Sequence, residues 1–176
     1  NGLRVTCEVA PHHLFLTTED YAQLGAFGKM NPPLREREHQ EALWAGIADG
    51  TVDCIATDHA PHTIEEKKNP NPLLAPSGVP GVETMLPLLL TVASGSWPGS
   101  TLRPTPYTLT HDDIRRLCFE NPNRIFGLGK KKDDATVTID TEALWTIEAA
   151  KLHSKCGWTP FEGWRVQGKV VGVEGG

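Results

Sequence analysis

The chain has 176 residues, 39% of them hydrophobic, with 17 Lys and Arg against 22 Asp and Glu and a net charge of −5. This length and composition are typical of one globular domain and argue against a disordered chain. The acidic balance argues against a nucleic-acid surface, because phosphate contacts need clustered Lys and Arg. No run of 18 apolar residues occurs, so the sequence predicts no membrane protein.

Strands and helices alternate in the first 60 residues. Hydrophobic periodicity, caps and glycine stops predict a strand over 4–9, helices over 17–24 and 35–49, and a strand over 51–57. Pro11 after the first strand predicts a loop that carries His12 and His13. The second strand leads directly into Asp58-His59-Ala60-Pro61-His62. This pattern is typical of a buried barrel strand with polar chemistry at its C-terminal end.

The sequence pattern changes in the later part of the chain. Residues 65–80 contain four prolines and are predicted to form a loop. Residues 95–109 are predicted to be a second Pro/Gly-rich connection. Helices are expected over 82–94, with a kink or restart at Pro87, over 110–120 and over 121–126. Alternating apolar residues and threonines over 135–141, and similar alternation over 165–173, predict antiparallel strands. The fold class is therefore α/β: about two of the eight strand-helix units of a TIM-type barrel, followed by a small β unit.

The segment from Asp58 to His62 is the strongest candidate for chemistry. A carboxylate at a strand end can bind a divalent metal and move a proton, and a nearby imidazole can bind metal or an anionic group. The alternative interpretation is a turn whose Asp caps a helix and whose histidines are exposed. Glu8 with His12 and His13 is a weaker candidate, because a Glu on a strand can equally be exposed or support another ligand.

The four cysteines are Cys7, Cys54, Cys118 and Cys156. They are widely spaced, form no Cys-x-x-Cys pair and lie mostly in apolar contexts. Structural disulfides and zinc sites usually show closer spacing, and cytosolic thiols stay reduced. We therefore predict reduced thiols and a cytoplasmic protein.

Six collinear segments carry a recognisable pattern. They are 4–17, 29–35, 58–62, 78–91, Asn121-Pro122 with 125–127, and 159–164. Together they closely resemble the corresponding segments of dihydroorotases, which are cyclic amidohydrolases of the amidohydrolase superfamily. Hydantoinases and allantoinases share the strand-end Asp-His but not this combination, so we rank them behind.

The resemblance implies a reversible, zinc-dependent cyclisation of N-carbamoyl-L-aspartate to L-dihydroorotate in pyrimidine biosynthesis. Asp58 matches the family's metal-binding aspartate, which is also the general acid and base. His62 matches the histidine that holds the substrate carboxylate. Asn31 falls where the family contacts the same end of the small-molecule substrate, and Gly78 where loop backbone meets the pyrimidine ring. Glu8 matches a residue that helps to bind an additional metal in some members.

The resemblance also implies that this chain is a C-terminal segment. Residues 1–132 would be barrel strands seven and eight with their helices, and residues 133–176 part of the flanking β-sandwich. Most ligands of the one or two zinc ions would lie upstream of Asn1, so we expect the isolated chain to be inactive. The expected protein partners are the missing N-terminal part of the barrel, a second copy in a homodimer, and aspartate transcarbamoylase. A truncated, non-catalytic interaction module is the alternative from another functional class.

Overall fold

The computed structural model describes residues 5–98, 108–131 and 134–175, and its helices and strands alternate in the first half. The strands are β1 (Glu8–Val9), β2 (Cys54–Ile55), β3 (Ala135–Thr146) and β4 (Arg165–Gly175). The helices are α1 (Pro11–Phe15), α2 (Tyr21–Leu24), α3 (Arg37–Asp49), α4 (Ile64–Lys67), α5 (Met85–Ala93), α6 (His111–Arg115) and α7 (Asn121–Ile125). Short 3-10 turns lie at Thr18–Asp20, Gly25–Gly28 and Ala149–Lys151.

Strands β1 and β2 form a parallel pair, with Glu8 opposite Cys54 and Val9 opposite Ile55. The helices between them make the crossover that parallel strands require. Both strands are shorter than the sequence predicts, and residue 4 of the first expected strand, 4–9, lies outside the described residues. The α/β architecture is confirmed, and the carboxyl end of β2 leads into the candidate site.

Two predicted loops contain helices instead. His12 and His13 lie in α1, which begins at Pro11, because a proline at the first helical position loses no hydrogen bond. The predicted loop 65–80 is wrong at its start, where α4 forms. Thr63 and Glu66 make a reciprocal capping box that satisfies the first amides of α4.

The predicted caps and stops mostly hold. Thr17 and Asp20 form the expected capping box, and Gly50 ends α3 in the left-handed conformation with φ 83°. Pro87 neither kinks nor restarts α5, because it is the third residue of that helix, where the amide has no intrahelical acceptor. Of the predicted connection 95–109, residues 99–107 lie outside the described residues.

Helices α6 and α7 are joined without a break. A π-helical turn over Arg116–Glu120 connects them, and the Asn121 amide donates to the carbonyl of Arg116 five residues earlier. The predicted boundary at Asn121 is therefore wrong. The wider turn keeps the backbone helical as far as Pro122, which has no amide hydrogen to donate.

The core forms where α1, α3 and α5 meet the strands. The side chains of Leu14, Leu88 and Leu89 are fully buried. Trp44 is also buried, its ring meets Phe15 edge-on at 5.6 Å between centroids, and its Nε1 donates to the Leu14 carbonyl at 2.9 Å. Trp44 therefore packs α3 against α1 in this core.

Strands β3 and β4 form an antiparallel ribbon with bulges after Thr138 and Asp140. The predicted antiparallel unit is confirmed, and both strands are longer than expected. The ribbon packs on α5, where the backbone amide of Gln167 donates to Thr91 Oγ1 at 2.8 Å. A Cβ atom on Gly168 would lie 2.7 Å from Leu90, so the ribbon backbone touches the helix directly.

Two further expectations concern the whole described chain. Cys7, Cys54, Cys118 and Cys156 are all free, as predicted for reduced thiols. Among the described residues, no helix combines the length and the apolar character needed to cross a membrane.

Candidate active site at the end of strand β2

Asp58 lies three residues beyond β2, in a backbone conformation that side chains rarely adopt. Its φ is 44°, and it is the only described residue other than glycine with a positive φ. Aspartate tolerates this left-handed region better than most residues, and such strain clusters at functional sites. The side chain is 55% exposed, and its Oδ2 lies 3.9 Å from Nε2 of His12. The carboxylate is thus held at the strand end with open space around it.

His12 is the buried partner of that carboxylate. Its side chain is 2% exposed, and among the described residues Nε2 has no hydrogen-bond partner. Burial and, to a smaller extent, the neighbouring His13 lower the pKa of His12 to about 4. The imidazole is therefore neutral at neutral pH, and its contact with Asp58 is not an ion pair. A buried, unpartnered nitrogen facing a carboxylate leaves a polar position to be filled.

The residues that follow Asp58 are fixed by backbone contacts to the segment 78–82. His59 pairs with Val79 in a parallel bridge, and the Ala60 amide donates to the Val79 carbonyl at 3.0 Å. The Nδ1 atom of His59 accepts the amide hydrogen of Gly81 at 3.0 Å. The alternative interpretation of Asp58 as a helix cap is wrong, because Thr63 caps the helix that follows.

His62 faces the same segment. Its Nε2 donates to the Ser77 carbonyl at 3.0 Å, since a carbonyl can only accept. Its Nδ1 lies 3.9 Å from a carboxylate oxygen of Glu66. The Thr63 amide and hydroxyl lower the pKa of Glu66, so this neighbour stays ionised. Nδ1 is therefore the ring nitrogen left to meet a ligand.

Gly78 occupies a position that no other residue fits. Its φ is 121°, and a Cβ atom there would lie 2.5 Å from Cβ of Ala60. The Gly78 amide donates to the Lys29 carbonyl at 3.0 Å. This bond joins the loop of Gly78 to the segment that carries Asn31.

Asn31 and Glu8, the other two predicted site residues, are both exposed in the structure. Asn31 is exposed and lines a cleft of about 440 Å³ together with Tyr21, Met30 and Ser77. Glu8 is exposed on β1, where its Oε2 accepts from the Cys54 thiol at 3.8 Å. Within the described part of the chain, no group of three His, Cys, Asp or Glu side chains could hold a metal ion.

Lys67 is the residue that sequence reasoning missed. It is fully buried, and its Nζ donates to the carbonyls of Lys29, Pro76 and Gly78. The prolines of 65–80 favoured a loop over this whole range. The spacing Thr63-x-x-Glu66 is the capping-box signal that could have placed Lys67 on a helix.

Comparison with known proteins finds relatives over nearly the whole chain. No family model matches the chain. A protein named dihydroorotase from Methanosarcina mazei is 48% identical over 166 residues, which is 90% of this chain and 34% of that relative. The chain is thus similar to proteins named dihydroorotase over most of its length. The multifunctional protein CAD of Squalus acanthias is 44% identical over 170 residues, covering 96% of this chain and 7% of that protein.

Solved structures show the fold to which this chain is similar. It matches the L-hydantoinase of Arthrobacter aurescens with a TM-score of 0.82 and 28% identity, covering 95% of the chain and 37% of that structure. The matched region is the C-terminal part of a TIM-barrel amidohydrolase. The chain spans about a third of the length of the dihydroorotase relatives that it matches. The expected fold class and the expected resemblance are both confirmed.

Proposed function

We propose that this chain is part of a dihydroorotase that interconverts N-carbamoyl-L-aspartate and L-dihydroorotate in pyrimidine biosynthesis. Relatives named dihydroorotase are 48% and 46% identical to it. One observation carries the proposal: the strained strand end holds the Asp58 carboxylate beside an unpartnered, neutral His12. A fold needs no such pair for its stability, whereas a hydrolytic site needs a carboxylate in open space.

Zinc is the metal that we propose for this site. Carboxylate oxygen and imidazole nitrogen are both donors that zinc accepts. Asp58 would hold the ion, and the unpartnered Nε2 of His12 fits a further polar group there. Glu8 on the adjacent strand is our proposed ligand for an additional metal. Because the described residues provide no group of three ligands, the other ligands would come from the rest of the enzyme.

Asp58 is our proposed general acid and base. A bound zinc ion would supply an attacking water whose pKa is near 7 and a polarised amide carbonyl. In the hydrolytic direction, Asp58 would accept the proton lost by the water and return it to the leaving ring nitrogen. In the cyclisation direction the same carboxylate would take the proton from the carbamoyl nitrogen and return it to the hydroxide lost from the carboxyl carbon, which leaves as water. Its 55% exposure leaves room for both approaches.

His62, Asn31 and Gly78 are our proposed substrate-binding residues. Because Nε2 of His62 is bonded to Ser77, a substrate carboxylate would be held by Nδ1 in its protonated form. The exposed Asn31 amide would donate to the same end of the substrate. The loop backbone at Gly78 would approach the ring, since glycine adds no side chain between backbone and ligand.

The complete protein would have further parts and partners. We propose that 1–132 belongs to the barrel and 133–176 to a flanking β-sandwich, in a cytoplasmic protein. The matched segment is 7% of the relative named multifunctional protein CAD, which supports a larger assembly that includes aspartate transcarbamoylase. A homodimer is the other protein partnership that we propose.

The test is an assay of the complete enzyme that contains this chain, with dihydroorotate, N-carbamoyl-L-aspartate and hydantoin as parallel substrates. Hydantoin hydrolysis is the second candidate, because the fold matches an L-hydantoinase with a TM-score of 0.82. Turnover of dihydroorotate in both directions, with none of hydantoin, supports our proposal. The opposite pattern favours the hydantoinase activity. No turnover of any substrate by a zinc-loaded protein favours the non-catalytic interaction module.

A further inference from the structure

Lys67 is a fully buried lysine whose three donors are all used. Its Nζ lies 3.1 Å from the Lys29 carbonyl, 3.0 Å from the Pro76 carbonyl and 3.1 Å from the Gly78 carbonyl. An ammonium group carries three N–H donors and no acceptor, so each hydrogen meets one carbonyl oxygen. A neutral amine has only two hydrogens and would leave one carbonyl facing a lone pair.

The three carbonyls belong to the two segments proposed to bind substrate. Lys29 precedes Asn31 by two residues, and its carbonyl also accepts the Gly78 amide at 3.0 Å. Pro76 and Gly78 lie on either side of Ser77, whose carbonyl holds the imidazole of His62. One cation therefore joins the Asn31 segment, the Gly78 loop and, through Ser77, His62.

Trp158 contacts the same ammonium from another side. Its ring centroid is 5.5 Å from Nζ of Lys67, within the range of a cation–π contact. Its Nε1 donates to the His62 carbonyl at 2.7 Å, so the indole links Lys67 to the His62 backbone as well. The Asn31 segment, the Gly78 loop and His62 are thus each linked to the Lys67 ammonium through one or two contacts.

Such a buried charge is a costly way to hold a helix in place. Burial and, to a smaller extent, the nearby Lys29 lower the pKa of Lys67 to about 8, so the group is still mostly protonated at neutral pH. A methionine of similar length would fill the space without the cost of desolvating a charge. What methionine cannot do is fix three backbone carbonyls relative to one another.

We propose that Lys67 is a positioning residue that sets the mutual geometry of the Asn31, His62 and Gly78 segments. It acts through these segments and does not itself touch the substrate. This inference rests on the proposed function only for what the segments bind. The arrangement of the segments themselves can be measured without any substrate.

The experiment compares Lys67→Met, Lys67→Gln and the control Lys68→Met in the complete enzyme. Lys68 is adjacent in sequence and exposed, so its substitution removes the same charge without touching the loops. Hydrogen–deuterium exchange measures the amides of residues 29–31 and 77–79, with α5 as the internal reference. Steady-state kinetics measures KM and kcat for dihydroorotate, and metal content is measured alongside.

We expect Lys67→Met to speed exchange in 29–31 and 77–79 at least tenfold, with α5 unchanged. It should also raise KM at least tenfold while kcat falls less than threefold. Lys67→Gln should lie between wild type and Lys67→Met, and Lys68→Met should match wild type. If Lys67→Met does not fold, Lys67→Gln serves for the same comparison. Exchange rates and KM that stay at wild-type values in a folded Lys67 variant would overturn the proposal. If wild type shows no dihydroorotase turnover, the proposed function fails, and the exchange data alone decide the role of Lys67.

Discussion

Replacing Gly78 by alanine should distort the loop that is proposed to meet the substrate. The new Cβ would lie 2.5 Å from Cβ of Ala60 and 3.1 Å from its carbonyl oxygen, where ordinary contacts begin at 3.4 Å. The loop must therefore move by about 1 Å to relieve the overlap. The φ of 121° adds backbone strain of about 1–3 kcal/mol, and the overpacking costs about 1–3 kcal/mol more. We expect Gly78→Ala to lose about 2–6 kcal/mol of unfolding free energy.

The loss of activity should exceed what the loss of stability explains. A misplacement of about 1 Å can reduce the rate about 10²-fold, so kcat/KM for dihydroorotate should fall by about that factor in folded Gly78→Ala protein. Gly50→Ala is the matched control, because its φ is 83° but nothing lies within 4 Å of its Cβ position. That variant should lose about 1–2 kcal/mol from the left-handed backbone alone and keep its kcat/KM. Denaturant unfolding and steady-state kinetics measure both. The reasoning fails if Gly78→Ala behaves like Gly50→Ala in both assays.

Three further predictions concern single side chains in the complete enzyme. Asp58→Asn should keep the fold, since asparagine also tolerates the left-handed region, and should lower kcat about 10²–10⁴-fold; activity within tenfold of wild type in both directions contradicts the proton-transfer role. His62→Ala should lower kcat/KM about ten- to a hundredfold through loss of a charge-assisted hydrogen bond, while metal content stays unchanged; loss of metal would make His62 a ligand instead. Burial raises the pKa of the Cys118 thiol to about 12, so its reactive thiolate fraction at pH 8 is about 10⁻⁴. Iodoacetamide at pH 8 should therefore label Cys118 only after unfolding in urea, and rapid labelling of the native enzyme contradicts this.

Local sequence signals predict which helices and strands form better than they predict where these elements begin and end. The caps at Thr17 and Gly50 need only neighbouring residues, and both form as expected. The ends of β1 depend on which strands pair with it, which no local pattern records. Pro11 after an apolar strand predicts a loop, but a proline also suits the first position of a helix. Tertiary packing of His12 and Leu14 decides between the two.

Some residues of the candidate site can be predicted from the sequence, and others depend on the tertiary fold. Asp58 stands out because a charged residue ends an apolar strand, a pattern visible in the sequence. His12 next to it depends on how α1 folds back against the strand end, and periodicity over five residues does not encode that. Lys67 is the clearest omission, because a lysine in a polar stretch is normally solvated. Only the convergence of the Lys29, Pro76 and Gly78 carbonyls shows why it is buried.

The contact between the ribbon and α5 has a consequence for cooperativity. Gly168 meets Leu90 with no room for a methyl group, and the Thr91 hydroxyl accepts the Gln167 amide while donating to the Pro87 carbonyl. Separating the two elements would break the hydrogen bond between them and expose the buried Leu90 side chain to water. Strand β4 and helix α5 should therefore melt in one step rather than as two independent modules. A destabilising substitution in β4 would then also lower the unfolding free energy of α5.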